Sequence, residues 1–217
     1  MRDAVQVKVC GLTTPRDAEA SASLGADYLG FVLHPKSPRR VTLGQFRAMA
    51  GSLPRRPWVA VSVEPEPGEL SGMRDAGFTL FQVHFRHDIP VETVRSWSAE
   101  VGPGALWLAP KLPPGVDVPA ALLGLAGSFL LDTFDPTLFG GTGRTGDWPK
   151  FRRHREAHPD KAWILSGGLS PANVAGALAG TGARLVDVNS GVESAPGAKD
   201  HAKLEAFLAA VRGSGAA

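Results

Sequence analysis

The chain has 217 residues, 43% of them hydrophobic and 20% charged, which is globular composition and enough length for one α/β barrel. Its 23 Lys and Arg against 21 Asp and Glu leave a net charge of only +2, so no nucleic-acid partner is expected. No run of about 18 apolar residues is present, so no membrane partner is expected either.

The first strand is predicted over Val5–Cys10. Met1–Val5 leads into it without the apolar segment of a signal peptide, and a cytoplasmic location is the expectation. Cys10 is the single cysteine, which excludes an intramolecular disulfide and a multi-cysteine metal site; no metal is expected. Thr14-Pro15, with Asp17 following, signals a helix start through a capping hydroxyl and a proline in the first turn. Strand two is predicted over Tyr28–Leu33, and Leu43, Phe46, Ala50 and Leu53 then form a helical stripe. Strands three and four follow over Trp58–Val63 and Leu80–His84, with a second stripe at Val91, Val94, Trp97 (or Ser98) and Val101. Strand five covers Ala105–Ala109, and a proline-rich loop precedes a short helix near Pro119–Ala126. Strand six covers Phe129–Asp132, and the basic run Lys150–Arg155 reads as a solvated helix face. Strand seven covers Ala162–Ser166, Ser170-Pro171 offers a second capped helix start, and strand eight covers Leu185–Asn189. Leu204, Phe207, Leu208 and Val211 make the closing amphipathic helix. Eight short apolar strands alternating with helical segments predict a (β/α)8 TIM barrel, with residues 1–217 forming a single domain. The 26 glycines and 18 prolines fall at the joints between apolar segments and punctuate that order.

Parallel barrel strands are apolar on both faces, so polar residues within them carry information. Period-two alternation puts Lys8 and Cys10 opposite Val7 and Val9, and Gln82 and His84 opposite Val83. Asp132 shares a face with Leu130, while Asp187 and Asn189 oppose Val186 and Val188. With the valines against the helices, the polar faces point into the barrel. Cys10, His84, Asp132 and Asn189 then gather at the C-terminal strand ends, where barrel enzymes place their chemistry. Each residue alone has an ordinary structural explanation, such as a core thiol or a loop-capping carboxylate. Their coincidence at one end makes an active site the better reading.

Ser166-Gly167-Gly168 and Asn189-Ser190-Gly191 are glycine turns after strands seven and eight. Those are the usual phosphate loops of a barrel, and glycine lets backbone N–H groups approach an anion, so a small-molecule phosphorylated substrate is the favoured partner. The loop His34-Pro35-Lys36-Ser37-Pro38-Arg39-Arg40 reads equally as a carboxylate grip or as an ordinary solvated loop. The four glycines of 140–146 are candidate hinges.

These segments together resemble the phosphoribosylanthranilate isomerase family over nearly the whole chain. The resemblance is carried by Lys8-Val9-Cys10-Gly11-Leu12-Thr13, Leu24-Gly25-Ala26-Asp27, Gly30-Phe31-Val32 and Pro35-Lys36-Ser37-Pro38-Arg39. It continues through Leu131-Asp132-Thr133, Gly140-Gly141-Thr142-Gly143-Arg144-Thr145 and Leu165-Ser166-Gly167-Gly168-Leu169 with Pro171 and Asn173-Val174. It ends with Asp187-Val188, Ser190-Gly191-Val192-Glu193, Pro196-Gly197 and Lys199-Asp200. The resemblance implies an isomerase of tryptophan biosynthesis. Its Amadori rearrangement takes N-(5-phosphoribosyl)anthranilate to 1-(o-carboxyphenylamino)-1-deoxyribulose 5-phosphate. By the same resemblance Cys10 matches the general base acting at C2 of the ribose, and Asp132 the general acid that opens the furanose ring. Arg39 matches the arginine that holds the anthranilate carboxylate, and Asp187 the hydroxyl-binding aspartate. Gly167, Gly168, Ser190 and Gly191 match the phosphate cradle. His84 is retained as a substrate-binding residue. No cofactor is implied.

A base and an acid facing one substrate need different pKa values, so the site is expected to lower that of Cys10, raise that of Asp132, or both. Lys8, on the face of Cys10, is expected to help stabilise a thiolate, and partial burial to favour the neutral acid at position 132. Four positions depart from the family pattern: Phe85 replaces a loop glycine after strand four, Asn189 a serine, Ser62 an aromatic residue, and Ala109-Pro110 lack a lysine. Phe85 is expected to add bulk near the mouth, which motivates a competing reading as a phosphosugar-binding barrel without turnover. The Arg39–Arg40 pair motivates another, a dual-substrate isomerase holding a second phosphate. Monomer and homodimer are both compatible with the sequence.

Overall fold

The strands form where Val, Leu, Ile and aromatic residues are flanked by Gly and Pro, and each is short enough to be buried on both faces. A computed structural model of the chain describes residues 4–132 and 147–214. In chain order its elements are β1 (Gln6–Val9), α1 (Pro15–Ser23), β2 (Tyr28–Val32), α2 (Leu43–Ala50), β3 (Trp58–Val63), α3 (Glu69–Asp75) and β4 (Leu80–Arg86). Next come α4 (Val91–Val101), β5 (Leu106–Lys111), α5 (Ala120–Leu123), β6 (Ser128–Leu131), α6 (Trp148–Ala157), β7 (Ala162–Leu165) and α7 (Val174–Thr181). The chain closes with β8 (Leu185–Val188), a 3-10 turn (Ser190–Val192), the short hairpin β9 (Glu193–Ala195) and β10 (Ala198–Lys199), and α8 (His201–Gly213). β1 to β8 pair in sequence order, and β8 pairs back to β1 with Lys8 beside Asp187. The result is a closed parallel barrel ringed by helices.

Two apolar layers follow from the alternation. Inside the barrel, Val59, Val61, Trp107, Ala109, Leu130, Ile164 and Leu185 cluster with Cys10. Outside, Val7, Val9, Phe31, Val83, Phe129, Val186 and Val188 pack against the helices, with Phe46 stacked on Phe78 at 4.0 Å between ring centroids. The side chains of α8 that carry its predicted stripe, Leu204, Phe207, Leu208 and Val211, are all buried. Thr14 caps α1 by accepting from the Asp17 backbone N–H, as its sequence signal predicted.

Several local expectations need correction. Cys10, Asp132, Ser166 and Asn189 lie one residue beyond their strands, although Cys10 N–H still donates to the Val188 carbonyl at 2.9 Å. α7 begins at Val174 rather than at Pro171; the Asn173 side chain binds the Ser170 N–H and the Gly168 carbonyl and shapes a separate turn first. α5 is half its predicted length, and Leu53 is buried beyond the end of α2. The run from Lys150 to Arg155 is a solvated face only at Arg152, Arg153 and in part Arg155. Lys150 and His154 are buried, with Lys150 Nζ donating to the Pro113 carbonyl and His154 Nε2 accepting from Val118 N–H.

Phe85 is the most consequential correction. β4 continues through Arg86, so Phe85 shares the outward face of Val83 and is only 1% exposed. Its ring lies edge-on against Trp97 of α4, 5.6 Å between centroids. The phenylalanine therefore belongs to the layer between barrel and helices and adds no bulk to the mouth.

Candidate active site

β1 and β8 bring a buried ion pair into the barrel. Lys8 is fully buried, and its Nζ donates to Asp187 Oδ1 at 2.8 Å. Room for the lysine comes from Gly30 on β2, where a Cβ would lie 2.9 Å from Lys8 Cε and 3.0 Å from Nζ. Such pairs lose several kcal/mol per ion in desolvation, so this one is weak evidence for stability and better evidence for chemistry. Burial alone would lower the Lys8 pKa, but Asp187 and Cys10 override it and hold the ammonium above its ordinary value. Burial raises Asp187, with Lys8 pulling the other way.

Cys10 stands at the top of the same face, 4% exposed. Burial pushes its thiol up, Asp187 adds to that, and Lys8 and Lys199 act in the opposite direction. Lys8 thus favours the thiolate, yet the net shift of the thiol is upward. Burial outweighs the two ammonium groups.

His84 extends the polar layer along β4. Its Nε2 lies 2.7 Å from Gln82 Nε2; with the amide donating, the ring accepts there and carries its proton on Nδ1. Burial, followed by the charges of Lys8 and His34, lowers His84 to about 3, so it is a neutral imidazole. Gln82 Oε1 is buried without a partner among the described residues.

Arg39 enters the mouth from the loop after β2 and is gripped by Glu193 of β9, with Nη2 2.7 Å from Oε2. The glycine turns after β7 and β8 lie against each other. Gly167 and Gly168 take φ values of +94° and +59°, which glycine adopts without strain. A Cβ on Gly191 would sit 1.9 Å from the Leu169 carbonyl oxygen, so only glycine allows the two loops to meet. No described residue accepts a hydrogen bond from the N–H groups of Gly167, Gly168, Ser190 or Gly191, and these donors are open to an anion.

Asp132 lies across the mouth, at the end of β6, separated from β1 by β7 and β8. It is half-buried and lines a small cavity with Pro110, Leu112, Lys150 and Phe151. The predicted hinge loop 140–146 and Thr133 lie outside the described residues. Sequence reasoning assigned no role to Glu193, Lys199, Gln82 or Lys150. Glu193 and Lys199 were visible only as matched motif residues, Gln82 only as a polar group in an apolar strand, and Lys150 only as a member of a basic run.

A closed parallel barrel with titratable groups from β1, β4, β6 and β8 at one mouth, beside two glycine loops with open N–H groups, defines a barrel enzyme whose site is built for an anionic small molecule. The chain matches the family described as N-(5'phosphoribosyl)anthranilate (PRA) isomerase over residues 7–210, and it belongs to that family. It is 38% identical to the N-(5'-phosphoribosyl)anthranilate isomerase of Zymomonas mobilis subsp. mobilis over 213 residues, 96% of this chain and 98% of the relative. The Cellvibrio japonicus isomerase is 36% identical over 208 residues, 94% of this chain and 92% of its own. Among solved structures, phosphoribosyl anthranilate isomerase from Thermotoga maritima superposes with a TM-score of 0.78 at 33% identity, covering 96% of this chain and 99% of its own. A phosphoribosyl anthranilate isomerase in complex with reduced 1-(o-carboxyphenylamino)-1-deoxyribulose 5-phosphate gives 0.74 at 31% identity, with the same coverage. The activity is therefore isomerisation of phosphoribosylanthranilate, and the barrel is an enzyme rather than a binding module. No helix of the described residues is long and apolar enough to cross a membrane.

Proposed function

We propose that Cys10 and Asp132 are the acid–base pair of this isomerisation. The carrying observation is their placement: two titratable side chains at the same end of the barrel but on opposite sides of its mouth, at the ends of β1 and β6. Asp132 gives a proton to the furanose ring oxygen, the bond from that oxygen to C1 breaks, and an iminium forms between C1 and the anthranilate nitrogen. Cys10, as thiolate beside the Lys8 ammonium, removes the proton from C2, and the released electron pair neutralises the iminium as an enolamine. Loss of the enol proton and gain of one at C1 give the ketose. Every proton is exchanged between substrate and side chains, so the proposal includes no cofactor.

Binding is divided around that pair. Gly167, Gly168, Ser190 and Gly191 hold the phosphate through backbone N–H groups, Arg39 takes the anthranilate carboxylate, and Asp187 accepts from a sugar hydroxyl. His84, neutral and fixed by Gln82, offers a hydrogen bond to the substrate without adding charge. The complex of a 31% identical relative with a reduced phosphorylated product supports a phosphorylated ligand here. A biosynthetic reaction on such a metabolite supports a cytoplasmic location.

The test is turnover of enzymatically generated phosphoribosylanthranilate, followed by loss of substrate fluorescence, for wild type, Cys10→Ala and Asp132→Asn. Both variants should lose about 10²–10⁴ in kcat while still binding the reduced product. Either variant turning over at the wild-type rate removes its residue from the pair.

A further inference from the structure

Arg39 is held from behind by a residue 154 positions away in sequence. Its Nε donates to Glu193 Oε1 at 2.9 Å and Oε2 at 3.1 Å, and its Nη2 to Oε2 at 2.7 Å. The same carboxylate receives Lys199 Nζ at 3.0 Å and the Gly197 N–H at 3.2 Å. Exposure of the three side chains is 14% for Arg39, 5% for Glu193 and 0% for Lys199. Lys199 Nζ also reaches the Asn189 carbonyl at 3.3 Å and Asn189 Oδ1 at 3.0 Å. Three acceptors around one nitrogen match the three N–H donors of an ammonium, which Glu193 favours although burial lowers the lysine below its ordinary pKa.

We propose that Glu193 is the positioning residue for Arg39: by occupying the Nε side of the guanidinium and sharing its own charge with Lys199, it turns the Nη1 end of a still-cationic cluster toward the substrate carboxylate. This deepens the proposed role of Arg39 and rests on it. Guanidinium carries five N–H donors in a rigid fork, and Glu193 takes those along one edge. No described residue accepts from Nη1. A lone arginine–glutamate pair would be neutral and would attract a second carboxylate poorly. Two cations on one carboxylate instead leave a single positive charge.

The geometry also argues against Glu193 as a competitor that the substrate must displace. Its oxygens are fixed by donors from Arg39, Lys199 and Gly197. Although burial alone would raise its pKa, Arg39 and Lys199 hold it below the usual carboxylate value. The grip continues to the phosphate side through Lys199 and Asn189. Gly11 makes this approach possible, since a Cβ there would lie 2.5 Å from Asn189 Oδ1 and 2.8 Å from Arg39 Cδ. One buried network therefore sets the arginine relative to the loop that carries Ser190 and Gly191.

The experiment measures Kd for two ligands, reduced 1-(o-carboxyphenylamino)-1-deoxyribulose 5-phosphate and the same compound without its carboxyl group. Wild type should prefer the carboxylated ligand, and Arg39→Ala should abolish that preference. Glu193→Gln, which keeps the shape and removes the charge, should lower the preference on the order of tenfold with little change for the decarboxylated ligand. Lys199→Met should lower it in the same ligand-selective way. Loss of preference in Arg39→Ala with full preference in Glu193→Gln overturns the positioning role alone, as does tighter binding of the carboxylated ligand. Equal weakening toward both ligands also overturns it, by making Glu193 a purely structural residue. Full preference in Arg39→Ala overturns the role of Arg39 itself.

Discussion

The two sides of the barrel mouth are built differently. Around β1 and β8, Cys10 sits among Lys8, Asp187 and Lys199, with Arg39 and Glu193 close by in a paired network. Around β6, Asp132 lies half-buried in a small cavity with Pro110, Leu112, Leu131 and Phe151 on its wall beside the charged Asp147 and Lys150. The difference teaches where each proton is controlled. On the base side the thiol needs nearby cations to become a base, because burial drives it the wrong way, and Lys8 and Lys199 supply them. The base side also serves as the scaffold of the grip, so changes there should disturb both stability and chemistry.

Breaking either half should show this asymmetry most plainly in kcat, where Cys10→Ala and Asp132→Asn each lose about 10²–10⁴. Lys8→Met should separate the sides in a second way. It leaves Asp187 buried without its partner, at a cost of about 3–5 kcal/mol read by urea unfolding, and it should raise the Cys10 pKa measured by pH-dependent alkylation. An unchanged alkylation profile would remove Lys8 from the chemistry and leave it a structural cation. Phe85→Leu sharpens the contrast between mouth and shell: it should cost about 1–2 kcal/mol of stability through lost packing on Trp97 while KM stays at its wild-type value. A changed KM would return Phe85 to the mouth.

The remaining effect concerns pH. His84 is lowered in the folded protein from 6.5 to about 3, so between those values the unfolded chain holds a proton that the folded chain refuses. Stability present at neutral pH should therefore fall as pH drops through that window, with a slope of at most about 1.4 kcal/mol per pH unit. Thermal melts from pH 7 to pH 4 should show the decline, and His84→Gln should flatten it. An unaltered slope would mean that His84 titrates alike in both states.

Much of this was legible in the residues. All eight barrel strands fall within two residues of their predicted ends, because strands buried on both faces read as short apolar runs between turn residues. The inward placement of Lys8, Gln82, His84 and Asp187 followed from alternation alone. The same rule, carried one residue past His84, would have sent Phe85 outward; ending the strand early put it in a loop. Lys150 and His154 were misread because a basic run on a helix is usually solvated, and nothing local reveals that the Pro113 carbonyl and the Val118 N–H await them. The Arg39–Glu193–Lys199 network was out of reach for a different reason. Its members are brought together only by closure of the barrel and by a two-strand hairpin too short to leave a periodic signal.

The central claim is that Asp132 acts at ring opening and Cys10 at C2, and substrate deuterated at C2 tests it most directly. With Cys10→Ser, removal of the C2 hydrogen becomes limiting and kcat should show a full primary isotope effect. With Asp132→Asn, ring opening becomes limiting and the effect on kcat should vanish. Equal isotope effects in the two variants would contradict the division of labour between the two sides of the mouth.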